Sequence, residues 1–164
     1  IQRVFCFHVI YDTIDFMLLF TTPTGSRLYG TNHADSDYDV LEVYTQPRKT
    51  RHKKVGTYDL TQCSLQSFMA YVAAGSPQNL EALHSPYHDL TYLKNGLKPD
   101  YYRTIETYQR TIKSFYHNPK RRTHAFRLYI NLEEFKKYGK INPRIDLDYL
   151  KKLEEQDILR QWIQ

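Results

Sequence analysis

Cysteine is scarce: only Cys6 and Cys63 occur in 164 residues. Two cysteines without metal-type spacing exclude a thiolate metal site and fit a reduced, cytoplasmic protein. Long apolar runs are lacking as well. Phe16-Met17-Leu18-Leu19-Phe20 is typical of the longest and falls far short of a membrane span. No signal peptide, repeat or low-complexity tract is read. The chain opens at Ile1 rather than Met, so further residues are expected ahead of it. No Ser-His-Asp arrangement stands out. His84 and His88 have the spacing of a helical metal pair, but Pro86 between them breaks the helix.

What is present leans basic. A net charge of +5 and a pI near 9.1 favour polyanionic partners, either nucleic acid or a nucleoside triphosphate. Eighteen acidic residues keep the surface mixed, so the tilt is modest. An apolar share of 41% supports a core, and the length suits one compact domain or a core with a helical appendage. Most of the fifteen tyrosines read as core and edge residues. Tyr116 and Tyr129, beside basic groups, are candidates for stacking on bases.

The informative stretch is Thr24-Gly25-Ser26-Arg27-Leu28-Tyr29-Gly30, followed by Ser36-Asp37-Tyr38-Asp39-Val40. A Gly-Ser turn follows an apolar strand, and two carboxylates then head a second strand. Alternation along a strand puts Asp37 and Asp39 on one face, roughly 6.5 Å apart. Tyr38 and Val40 are expected to face the other way, into the supporting core. Gly25 and Ser26 offer backbone N–H groups and a hydroxyl to a phosphate. Carboxylates beside a triphosphate repel it unless a divalent cation lies between them. The combination suggests metal-assisted nucleotidyl transfer.

These motifs resemble the signature of the DNA polymerase β-type nucleotidyltransferase superfamily: Gly-Ser, about ten residues, then Asp-x-Asp. The wording Gly-Ser-Arg-x-Tyr-Gly and Ser-Asp-Tyr-Asp-Val is most similar to nucleotidyltransferases associated with RNA repair, also encoded by phages. Tyr58-Asp59-Leu60, Ala74-Gly75-Ser76-Pro77-Gln78-Asn79-Leu80-Glu81 and His84-Ser85-Pro86 extend the likeness. It is specific over residues 15–86. The resemblance implies an α+β fold, a small mixed β-sheet with helices followed by a helical C-terminal part. Residues 1–97 would form the catalytic core and 98–164 the helical part. It also implies magnesium, most simply two ions, with manganese the alternative.

Asp37 and Asp39 would hold the metals. Asp59 reaches them from a neighbouring strand, whereas Glu42 has the wrong parity. By resemblance, Asp59 activates the acceptor hydroxyl or helps to hold the catalytic metal. Gly25 and Ser26 would grip the terminal phosphates, and Arg27 is a candidate triphosphate contact. Family members often place a basic residue from a later helix on the triphosphate tail; Lys120 and Arg127 are the candidates here. The implied reaction moves a nucleoside monophosphate from a triphosphate to an acceptor hydroxyl. RNA 3′ ends, transfer RNA included, are the favoured acceptor. A protein hydroxyl is the enzymatic rival, and a catalytically silent nucleotide- or nucleic-acid-binding module is the non-enzymatic one.

Strands are expected over 15–22 and 37–45, then a basic hairpin loop over 48–54 that reads as solvated, with contact to a phosphate backbone as the alternative. Residues 55–61 return antiparallel as a third strand. Residues 1–12 read as strand or helix. Ser64 caps a helix closed by Gly75, and Ser76-Pro77 opens the next. A short helix over about 87–95 ends at Gly96. Longer helices follow: one from Pro99 to about Asn118-Pro119, one over 120–138 stopping at Gly139, and a final one after Pro143.

Overall fold

A computed structural model describes residues 17–87 and 90–164. The readings for residues 1–12, for Cys6, for His88 and for the start of the first strand lie outside these residues. The fold is α+β, as the resemblance implies. Strand β1 (Leu18–Pro23) runs into a five-residue helix, α1 (Gly25–Tyr29). Strands β2 (Tyr38–Tyr44), β3 (Arg51–Val55) and β4 (Tyr58–Ser64) complete a mixed sheet of order β1-β2-β4-β3.

Two expectations about the sheet are corrected. The basic run is an edge strand rather than a loop, and the segment after it lies parallel to β2, pairing antiparallel with β3. Gly56, at φ +60°, makes the turn between β3 and β4. All five residues of β3 are exposed, so no alternation marks it as a strand. Its Arg and Lys side chains guard the open edge against pairing with other strands. Second, Tyr38 and Val40 do not face the core. Leu41 and Val43 are buried, sharing parity with Asp39, whereas Tyr38 is 41% exposed. The acidic face and the core face are the same face; the helices cover it at one end and leave it open at the other.

Helices α2 (Leu65–Ala73) and α3 (Pro77–Leu83) follow β4. Ser64 caps α2, its Oγ accepting the Ser67 N–H at 3.1 Å. Between the two helices Gly75 takes φ +72°, and a Cβ there would come within 2.4 Å of the Thr104 Cα. Glycine is therefore required where this corner meets α5 (Tyr101–Tyr116). A short α4 (Thr91–Gly96) precedes α5, and Asp100 caps α5 through the Arg103 N–H. A 3₁₀ turn over Pro119–Arg121 leads into α6 (Arg122–Tyr138), which stops at Gly139 in the left-handed region.

The expected last helix is two: α7 (Leu147–Glu155) and α8 (Ile158–Ile163). Asp157 breaks them at φ +46°, with its carboxylate accepting from the Tyr116 hydroxyl and from Arg122. Apolar spacing survives this tight break, which is why periodicity alone reads one helix. Tyr116 is thus engaged with Asp157, and Tyr129 packs edge-on against Trp162, so both serve packing.

One hydrophobic cluster joins Val43 of the sheet, Phe68 of α2, Leu80 of α3, Tyr108 of α5, Phe126 of α6 and Leu159 of α8. Among the described residues, no helix is long and apolar enough to cross a membrane.

Candidate active site

Parallel pairing sets Asp39 of β2 directly opposite Asp59 of β4. Side chains at paired positions of parallel strands point the same way, about 4.8 Å apart at the backbone. The chain places this pair against the bend after β1. Thr24 donates its N–H to the Asp39 carbonyl at 2.9 Å, and Gly25 takes φ +63°. A Cβ on Gly25 would lie 1.9 Å from Asp39 Oδ2, so the carboxylate occupies the space that any other residue would fill. Burial, and then the charges of Asp59 and Asp37, push the Asp39 carboxyl above its ordinary value.

Asp37 shares this face but turns outward, bonded to Lys54 Nζ at 2.9 Å. Lys54 pairs with Asp59 across β3 and β4, so its ammonium is the local counter-charge of all three carboxylates. Among the described residues, no three His, Cys, Asp or Glu side chains stand close enough to hold a metal ion together. The donor chemistry nevertheless fits a divalent cation. Two in-register carboxylates, with concentrated negative charge and a bend cut away to admit one of them, suit a hard, oxygen-seeking ion such as Mg²⁺. Asp37, the third carboxylate, is held by Lys54 through Oδ2. Glu42 lies on the opposite face, accepting from the Tyr44 hydroxyl and from Gln62.

Asp39, Asp59, Gly25 and Ser26 line one side of a cleft of about 800 Å³. Across it stand Lys120, Arg121, His124 and Arg127, from the 3₁₀ turn and α6. The cleft is therefore acidic along the sheet and basic along the helices. His124 is half-buried, and burial followed by the Arg127 charge pulls its imidazole below the ordinary range. Besides the Arg127 guanidinium, which is paired with Glu81, the cationic side chains of that wall are Lys120 and Arg121.

His84 is lowered in the same way, chiefly by burial. Both histidines hold a proton less tightly folded than unfolded. Stability should therefore fall as pH drops below about 6.5, where the unfolded chain takes up protons first. Thermal melts at stepped pH should show this loss, and His124→Gln should remove part of it. An identical pH dependence in that variant would exclude His124 as a source.

The remaining candidates are placed as follows. Arg27 does not line the cleft: it donates to the Ser36 carbonyl at 2.8 Å and lies 3.5 Å over the Tyr38 ring, bracing the loop between α1 and β2. Arg127 lines the cleft, but its guanidinium is buried in a short ion pair with Glu81 and lies 3.6 Å over the Tyr29 ring. Tyr29 donates to the other Glu81 oxygen at 2.7 Å, and Asn131 donates to the oxygen that Arg127 holds, at 3.0 Å. Glu81 thus ties α1 to α6.

A sequence model of the RNA repair pathway DNA polymerase beta family matches residues 7–164. The chain belongs to this family. A search of curated proteins finds no match. Family membership makes the chain polymerase β-like, and supports a nucleotidyltransferase of RNA repair with nucleotide and nucleic-acid partners. The match runs on through the helical C-terminal part, beyond the residues 15–86 that carry the motifs.

Three residues at this candidate site escaped the sequence reading. Glu81 stands inside the recognised Ser-Pro-x-Asn-Leu-Glu run, yet an acidic residue in an amphipathic helix gives no sign of being 1% exposed. Lys54 and His52 sit in the basic run, where neither parity is apolar. The pairing of β3 with β4, which depends on the Gly56 turn, would have revealed both.

Proposed function

We propose that this cleft transfers a nucleoside monophosphate from a nucleoside triphosphate to the 3′ hydroxyl of an RNA, releasing pyrophosphate. The observation that carries this reading is the Asp39–Asp59 pair, set against the Gly25 bend and facing Lys120 and Arg121 across one cleft. A triphosphate laid between these walls would put its α-phosphorus at the carboxylates and its tail toward Ser26, Lys120 and Arg121. Asp39 and Asp59, with Asp37, would hold Mg²⁺ or Mn²⁺. A bound divalent ion supplies charge neutralisation at the transferred phosphoryl group and a lowered pKa for the attacking hydroxyl.

The protein's share is positioning and electrostatics, as in other phosphoryl transfers. The acceptor oxygen forms its bond to the α-phosphorus while the bond to pyrophosphate breaks. The proton of the acceptor hydroxyl leaves toward Asp59. Charge that builds on the pyrophosphate meets Lys120 and Arg121. Arg127 contributes through Glu81 and Tyr29, by fixing α6 against α1.

The test is incubation with α-labelled triphosphates and Mg²⁺, with total RNA and separately with protein extract. Label is expected in RNA, sensitive to periodate blocking of 3′ ends, and absent when γ-labelled triphosphate is used. Label taken up by protein instead would transfer the reading to a protein-nucleotidylating enzyme. No transfer with any acceptor would leave a binding module.

A further inference from the structure

Beyond the cleft lies a second cavity of about 210 Å³. It shares His52, Thr61, Ser76 and Gln78 with the cleft, so the two adjoin. It extends past them to Tyr71 and Asn79, between β3 and the start of α3. We propose that this side cavity seats the terminal nucleotide of the acceptor RNA, and that the exposed cationic edge of β3 carries the strand behind it. The proposal rests on the nucleotidyl-transfer reading for its direction, and on the sheet topology for its place.

The direction comes from in-line displacement. Attacking and leaving oxygens lie on opposite sides of the transferred phosphorus. Across the sheet the order is β1-β2-β4-β3. Gly25 and Ser26 follow β1, Asp39 is on β2, Asp59 on β4 and His52 on β3. The basic wall lies on the α1 side, because Arg127 of α6 covers the Tyr29 ring. Pyrophosphate therefore leaves toward the β1 side, and the acceptor must arrive from the β3 side. The side cavity opens there.

Its chemistry suits a base rather than a phosphate. Among the described residues that line it there is no Lys or Arg. Tyr71, 45% exposed, presents an aromatic face on which any base stacks. The amide of Gln78 offers a donor and an acceptor to a base edge, while Asn79 is buried and its Oδ1 accepts from the Ser76 hydroxyl at 2.9 Å, leaving its NH₂ as the remaining donor. The Thr61 hydroxyl, 3.0 Å from His52 Nδ1, forms the floor next to Asp59. Cys63 at the back is held by burial at a pKa of about 11, so it acts as an inert thiol there. Outside the cavity, Arg51 and Lys53 alternate with His52 and Lys54 along an edge strand exposed throughout. Such a row positions a phosphate backbone without reading sequence.

The test is fluorescence anisotropy of a 5′-fluorescein oligoribonucleotide with a free 3′ hydroxyl, titrated with the full chain without nucleotide. Mant-labelled ATP is titrated separately. Tyr71→Ala should weaken the oligoribonucleotide by about tenfold. Arg51→Ala/Lys53→Ala should weaken it and lower the slope of log affinity against log salt by about 1.4, at about 0.7 for each of the two charges removed. Both variants should bind mant-ATP as the wild type does.

The proposal is overturned if oligoribonucleotide affinity is unchanged in Tyr71→Ala and the salt slope is unchanged in the double variant. It is also overturned if both variants lose mant-ATP in parallel, or if the wild type binds no oligoribonucleotide because the acceptor is a polypeptide. Because binding is read without nucleotide, an absence of labelled product in the transfer assay would sink the reaction and the acceptor role, whereas the titrations test separately whether RNA binds at this cavity and edge.

Discussion

Asp39→Asn is expected to abolish nucleotidyl transfer, by about three orders of magnitude or more, while raising the melting temperature at neutral pH. The loss follows from the place of the carboxylate, against the Gly25 bend and opposite Asp59. Several kcal/mol of charge stabilisation at the phosphoryl group depend on such a ligand, and each 1.36 kcal/mol is tenfold in rate. The gain in stability has an electrostatic origin. Burial, Asp59 and Asp37 raise the folded carboxyl above 3.8, so the folded protein holds that proton more tightly than the unfolded chain does. Stability is then lost as pH rises through the carboxylate range, and at neutral pH the ionised group is a net cost that asparagine removes. Single-turnover assays and thermal melts on the same preparation check both halves. An unaltered transfer rate would refute the metal-ligand role. A lowered melting temperature would refute the account of crowded charge.

Much of this site was legible because strand parity is a hard geometric rule. Asp37 and Asp39 had to share a face, Glu42 had to leave it, and Asp59 needed a neighbouring strand. The same rule, applied to Leu41 and Val43, would have shown that the acidic face is also the core face. Reading the motif in isolation missed this. Helix caps were equally readable: Ser64, Gly75 and Gly139 all act through local chemistry. Partners chosen across long sequence separations were not readable. Lys54 meets Asp37 only because β3 folds back on β4, and Glu81 meets Arg127 only because α3 and α6 pack under the cleft. A positive charge near a helix start predicts a phosphate contact as readily as a buried pair. Composition cannot choose between them, because the choice belongs to packing.

That choice separates Lys120 from Arg127, the two basic residues first assigned one role, and their variants should fail in opposite ways. Arg127→Met would leave the Glu81 carboxylate buried without its counter-charge, beside the Tyr29 hydroxyl and Asn131. Breaking a buried pair from one side costs about 3–5 kcal/mol. For a domain of this size that is a fall in melting temperature on the order of 10 °C. Arg127→Met/Glu81→Gln should recover part of the loss, since the stranded charge is gone, although the link from α6 to α1 is not restored. Lys120→Ala removes a residue of the exposed 3₁₀ turn, so the melt should hardly move. Under the proposed reading its loss appears as a raised KM for the triphosphate. Denaturation curves and steady-state kinetics on these three proteins decide the matter. A stable Arg127→Met with a selectively raised KM would return that guanidinium to the triphosphate, and Glu81 would then be the residue that presents it.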